Sequence, residues 1–304
     1  MTAMTVRKPK KQKTAPEGMS RRAAKLAARA AEREALQKDP RPFGGLAAEA
    51  DLVALQEFVP SAVAEFSVNG TPVNVVTVLP GAGAALVRDG GERFVALQVQ
   101  SHSQNPGRDL AYALNWVVSA EPGETLQSTI ADGSQPALDS LLEADARPEI
   151  TTHQDFGWWF AEGETVPPQV RDALRQANDA VLPSQQVGAG LPGAVWWVNP
   201  GGGKAHIRWV RTEDSEAQML AALARIAARG ELNLGEGTKF AGAFRTHGLV
   251  VPVFDLDPSA DAGSYEEALA ELDQAITAEY ANDAALSADE RKQLDNIKSR
   301  QVTI

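Results

Sequence analysis

Apolar residues first fall into a helical rhythm at Leu52, Leu55 and Val59, and Pro60 stops the run, which predicts one helix ending there. Two β-rich stretches follow, Val63 to Val68 and Val73 to Leu79, on either side of Asn69-Gly70. That dipeptide tolerates positive φ at both turn positions, so the pair reads as a two-residue hairpin. Ala84 to Val87 and Arg93 to Val99 predict further strands across Asp89-Gly90-Gly91. Asn105-Pro106 opens a helix whose buried stripe is Leu110, Ala113, Leu114 and Val117. A short helix around Leu138 to Leu142 and a strand from Phe156 to Phe160 complete this stretch.

The pattern then begins again. Thr165-Val166-Pro167-Pro168 leads a helix with Val170, Leu174 and Ala177 on one side, stopped by Pro183. Val195 to Val198 and Ala205 to Val210 form a hairpin across Asn199-Pro200-Gly201-Gly202-Gly203-Lys204. Asp214 is the expected cap of a helix through Met219, Leu220, Leu223 and Ile226, ended by Gly230. Leu249 to Leu256 is apolar enough for a strand buried on both faces. Ser264 to Glu267 and Ser287 to Glu290 each spell a capping box for a following helix.

The order of elements in the two stretches agrees. Each has a helix ending in Val/Leu-Pro-Ser, a strand leaving through Pro-Gly-x-Gly, another strand, a helix, and a Thr-His pair before an aromatic-rich strand. Either the chain carries a duplication or a Gly- and Pro-punctuated sequence has produced the likeness by coincidence. The expected fold is α+β, with two related α/β halves of mainly antiparallel sheet and packed helices, residues 43–163 and 164–304.

Charge separates these halves from residues 1–42, which hold twelve Lys/Arg and four Asp/Glu, a net of +8. The rest carries 17 basic and 36 acidic residues, a net of −19. Arg7, Lys8, Lys10, Lys11 and Lys13 stand among prolines with almost no apolar anchors, so this segment is expected to be disordered. Arg21 and Arg22 begin an Ala/Arg/Glu-rich helix running to about Lys38, whose large apolar residues are Leu26 and Leu36. Such an arm suits nucleic acid, the ribosome or an anionic membrane surface, or it folds back on the acidic body or merely keeps it soluble. No aromatic interleaves the basic residues, so base stacking is not expected.

The sequence contains no cysteine, which excludes disulfides, thiolate metal sites and cysteine nucleophiles. It has no run of 18 apolar residues for a transmembrane helix and no apolar leader, so a cytoplasmic location is expected. Gly201-Gly202-Gly203-Lys204 superficially resembles a phosphate loop, but Ala205 follows where Ser or Thr is required and a strand comes next. No cofactor and no metal site are assigned. Asp255 and Asp257 share a face at a strand end, with Asp261 close behind. They either hold Mg²⁺ in an acidic active site or form a solvated strand end. His153 and His247 either act as a symmetry-related pair or bond turns.

The hairpin gives the sharpest candidate. With an even-length loop, Trp197 faces His206 and Trp196 faces Ile207. Ala194, Trp196, Val198, Ile207 and Trp209 then form a core face, and Val195, Trp197, His206 and Arg208 form the other. Trp197, His206 and Arg208 are either a recognition surface or covered by another layer.

Pro42-Phe43-Gly44-Gly45-Leu46, Asp51-Leu52-Val53-Ala54-Leu55-Gln56-Glu57-Phe58-Val59-Pro60 and Gly248-Leu249-Val250-Val251-Pro252-Val253-Phe254-Asp255-Leu256 resemble an uncharacterised family of actinobacterial proteins. The resemblance implies no established activity. Relatives often precede this body with a Cys-rich zinc segment like the C-terminal motif of the translocation ATPase SecA, and are labelled accordingly. That segment is not in this sequence, and neither is a Walker A motif. The expectation is a non-enzymatic binding or interaction module with a polybasic arm, acting on nucleic acid, a ribosome or a protein partner. The alternative is a Mg²⁺-dependent enzyme centred on Asp255 and Asp257.

Overall fold

The computed structural model describes Arg22, Leu26 and residues 38–303 apart from 130, 132, 162, 164, 165 and 167. The expected disordered segment with Arg7, Lys8, Lys10, Lys11 and Lys13, and Arg21 of the expected helix, lie outside the described residues. Arg22 and Leu26 are helical and exposed. Asp39–Ile304 forms one compact unit, separate from Met1–Lys38.

That unit is α+β. Six α-helices are described: α1 (Glu49–Glu57), α2 (Pro106–Ser119), α3 (Pro168–Asp179), α4 (Glu216–Ala228), α5 (Glu266–Tyr280) and α6 (Ala288–Ser299). The first sheet holds β1 (Ala62–Val68), β2 (Thr71–Val76), β3 (Ala85–Val87), β4 (Arg93–Ala96), β5 (Thr125–Leu126) and β6 (Ile150–Thr152), in the order β5-β3-β4-β2-β1-β6. The second holds β7 (Ser184–Val187), β8 (Ala194–Val198), β9 (Ala205–Val210), β10 (Lys239–Thr246), β11 (Leu249–Leu256) and β12 (Val302–Thr303), in the order β12-β10-β11-β9-β8-β7. Both are mainly antiparallel. The pair β2/β4 in the middle of the first sheet is parallel, whereas β9/β11 in the second is antiparallel. The four central strands therefore have the same order in both sheets, β3-β4-β2-β1 and β10-β11-β9-β8, while the middle pair differs in direction.

Local chemistry explains the turns. Asn69 and Gly70 take φ 50° and 81°, and β1 pairs with β2 from Val68↔Thr71 onward, as the two-residue hairpin requires. His247 and Gly248 do the same at φ 48° and 75° between Thr246 and Leu249, so β10/β11 is a second tight hairpin. Ser287 makes the full capping box with Glu290. Two other caps differ from expectation. Ser215 rather than Asp214 caps α4, accepting from Gln218 N–H, because Asp214 is drawn to Arg41. Ser264 lies inside a 3₁₀ turn capped by Asp261, and α5 starts after it. Phe156 to Phe160 is also a 3₁₀ turn, not a strand, because its rings pack on the first sheet rather than alternate across one.

The layers follow from burial. Helix α1 is buried all round, Glu49 and Asp51 included, so it is a central helix rather than the one-sided helix its Leu52, Leu55 and Val59 suggested. One core joins α1 and α2 to Ala64, Phe66 and Val75 of the first sheet and to Trp196, Val198 and Val251 of the second. A second core lies on the far side of the second sheet, where Ile207, Trp209 and Phe254 meet α4, α5 and Ile297 of α6. The far side of the first sheet carries a smaller cluster of Val76, Phe94 and Ala96 under Trp158.

Candidate functional site

A cleft of about 790 Å³ opens where the first turn of α1 meets the edge of the second sheet. Asp51 lies at its base, Gln186 and Val187 of β7 on one side, and Arg147-Pro148 and the loop Gly188–Gly193 around the rim. Asp51 is only 8% exposed and accepts one hydrogen bond from Gln186 Nε2 at 3.1 Å. Burial pushes its carboxyl up from the ordinary 3.8 to about 6, while Arg147 and Gln186 act weakly in the other direction. Its neighbour on the helix, Glu49, is held by a fork of Arg41, with Nε to Oε1 at 2.8 Å. Two buried acids thus share a helix end: one is locked in an ion pair, and the other faces a cleft.

The rim loop is held rigidly. A Cβ at Gly193 would stand 2.0 Å from the carbonyl oxygen of Val210, and its φ is 77°, so glycine is required there. The indole of Trp209 donates to Pro192 O at 2.8 Å and pins the loop from the second core. Main-chain groups supply the cleft's other feature. Asn199 N–H donates to Pro183 O at 2.9 Å, so by alternation Ser184 and Gln186 direct their N–H and C=O groups away from β8. β7 has a ladder partner on one side only, which leaves that edge available.

Sequence reasoning missed this site. Gly188-Ala189-Gly190-Leu191-Pro192-Gly193 does spell G-x-G-x-x-G, the one local signal that could have drawn attention to it. It joins two antiparallel strands instead of a strand to a helix, so it offers no helix N-terminus for a pyrophosphate. Asp51 and Arg147 are 96 positions apart and only the fold brings them together.

The hairpin residues are placed differently from expectation. β8 and β9 pair with Trp196↔Arg208, Trp197↔Ile207 and Val198↔His206, one residue out of the expected register. The loop spans an odd number of residues, and a one-residue slip exchanges the faces of one strand relative to the other. His206 and Arg208 therefore share a face with Trp196, under α1. Trp197 lies on the opposite face with Ile207 and Trp209, packed against the second core. The structure brings His206 and Arg208 together and separates Trp197 from both. Neither face is an open surface.

Asp255 pairs with Lys204 and lies 3.1 Å from His206 Nδ1. Asp257 is turned to Ser259, accepting from its N–H at 2.8 Å and its hydroxyl at 2.7 Å. The two carboxylates do not converge, and among the described residues no group of three or more His, Cys, Asp or Glu could hold a metal ion. Burial pulls His206 below its ordinary pKa, against the opposing influence of Asp255. His153 rests on Trp158, and His247 contacts Glu57 at 2.6 Å from its turn. Each histidine serves its own sheet, and they do not meet in one site.

Two mainly antiparallel sheets enclosing a buried helix define an α+β protein. The chain belongs to DUF5926, a family of unknown function whose match covers residues 42–304. No curated protein and no solved structure matches it. No helix among the described residues is long and apolar enough to cross a membrane.

Proposed function

We propose that this protein is a cytoplasmic interaction module that takes an extended segment of a partner protein along β7, with its basic arm holding the module near nucleic acid or the ribosome. The observation that carries the reading is the cleft over Asp51. It is large, its rim is preorganised, and it lies beside main-chain groups that a peptide strand would satisfy. Asp51 would accept from a donor on the peptide above pH 6, and Arg147 at the rim would meet an acidic group. The arm adds affinity of a different kind, long-range and salt-dependent, from a net charge of +8 over residues 1–42. The lack of cysteine agrees with a reducing compartment.

Photo-crosslinking tests the reading. A benzophenone side chain at Ala189, on the exposed rim, should capture a discrete partner in cells, and the same group at Ser67 on the first sheet should not. Arg147→Glu should weaken that adduct. Equal capture from both positions, or an adduct indifferent to Arg147→Glu, would remove the cleft from consideration. Deleting residues 1–38 should abolish nuclease-sensitive co-purification while leaving the Ala189 adduct in place.

A further inference from the structure

The face of the second sheet under α1 carries two rows of side chains across its strands. One row runs Ser184, Val198, His206, Asp255 and Lys239, and its acid is matched, with Lys204 and His206 meeting Asp255. The other runs Gln186, Trp196, Arg208 and Val253, and here compensation fails. Gln186 reaches sideways to Asp51. Arg208 is half-buried over the ring of Phe58, 5.3 Å from its centroid, and has no acceptor among the described residues. Trp196, directly across the ladder from it, is 0% exposed, and its indole N–H also has no partner.

Among the described residues most buried cationic and indole donors are matched, although the Trp197 indole N–H on the opposite face of the sheet, like that of Trp196, has no partner. Arg41 is held by Glu49 and Asp214, and Arg211, 2% exposed, by Glu213 and Asp273. Arg225 donates to the carbonyls of Glu279 and Ala284. The indoles of Trp158, Trp159 and Trp209 all find oxygen acceptors. A buried donor without an acceptor loses hydrogen bonds that water would have supplied, so such groups are rare. Two ladder-paired residues whose donors have no acceptor among the described residues, in a body whose residues 43–304 carry a net −19, mark a local deficit of negative charge. Burial lowers the pKa of Arg208 with no neighbouring acid to raise it.

We infer that Arg208 and Trp196 form a subsite for one oxyanion group, a carboxylate or phosphate oxygen pair, entering from the solvent side of Arg208 above Phe58. A guanidinium presents a planar fork that fits two oxygens, and a neutral indole N–H adds a third donor without further charge. Lys204, exposed on the same strand face, strengthens the local field, and Asp255 confines that field to the subsite's edge. The subsite rests on donor arithmetic at β8/β9 and does not depend on the peptide reading of the cleft.

The chain has six tryptophans, so its ¹⁵N-labelled indole N–H signals form a small, resolvable set, with Trp196 assigned by Trp196→Phe. Sodium acetate and sodium phosphate are titrated separately against sodium chloride at constant ionic strength. The Trp196 signal should shift saturably while the other five stay nearly still. Saturation with acetate alone assigns a carboxylate, with phosphate alone a phosphate group, and with both the shared oxyanion. Arg208→Lys keeps the charge but loses the fork and should weaken binding about tenfold. Arg208→Gln should abolish the shift. The subsite is refuted by no saturable shift with either salt, or by an undiminished shift in Arg208→Lys. The lysine variant keeps the test decisive if Arg208→Gln does not fold.

Discussion

The two sheets have the same number of strands but treat their faces in opposite ways. Along β1 of the first sheet, Ala64, Phe66 and Val68 are buried while Glu65 and Ser67 are exposed, so one face meets the core and part of the other meets water. Across the second sheet, Val195 and Trp196, Ile207 and Trp209, and Val250 and Val251 are all buried, because α1 covers one face and α4 to α6 the other. A half-exposed sheet announces its inner face through alternation. A sheet buried on both sides does not, since apolar residues suit either side. The second sheet also carries what is chemically unusual here: Asp51 meets its edge, and Arg208 lies on its inner face over Phe58 with no acceptor among the described residues. Polar groups under a covering layer cannot be satisfied by water, so their partners, or the lack of them, acquire meaning.

The largest expected effect tests whether both faces of the second sheet are core. Trp196→Ala should cost about 3–5 kcal/mol, the usual range for emptying a fully buried aromatic site. Trp197→Ala, on the other face and partly exposed, should still cost roughly 2–3 kcal/mol. Urea melts of both variants check this, and a Trp197→Ala loss below about 0.5 kcal/mol would mean that the second face is open after all.

Next is Asp51→Asn. Because the fold raises its pKa to about 6 from 3.8, the folded protein binds this proton more tightly than the unfolded chain does. Stability from this group therefore falls as pH rises from about 4 to about 6, and the full penalty persists above that. Asp51→Asn should stabilise the protein by roughly 2–3 kcal/mol at pH 8 and by little at pH 4. Thermal melts at the two pH values read this directly. A destabilised variant at pH 8 would show that the charge of Asp51 is held by stronger partners than Gln186 and Arg147. A gain would mark a residue kept against stability, as binding sites often are.

Smaller effects bound the comparison. Ser287→Ala removes one side of the capping box and should cost about 1 kcal/mol, measurable by chemical denaturation. Glu65→Ala and Ser67→Ala, on the water-facing part of the first sheet, should change stability by less than about 0.5 kcal/mol. A larger loss there would mean that this face is covered by something, and the contrast between the sheets would disappear.

Much of the fold was legible because its signals are local. Asn69-Gly70 specifies a hairpin through the φ values its residues tolerate, Ser287 and Glu290 specify a helix start through two hydrogen bonds, and the spacing of Leu110, Ala113, Leu114 and Val117 specifies a helix face. The absence of cysteine and the charge separation between residues 1–42 and the rest are likewise properties of the sequence itself. Burial that depends on a third element was not legible. Nothing near Glu49 and Asp51 says that a helix bearing two acids will be enclosed, because the enclosure is made by sheets distant in sequence. The register of β8 on β9 was decided in the same way: with apolar residues on both faces of both strands, only the layers above and below could choose the side for Trp197 and the side for Arg208. Hydrogen-bonding propensity and steric preference act between neighbours, and the sequence carries them. Desolvation is set by everything that surrounds a group, and here only the tertiary structure decided it.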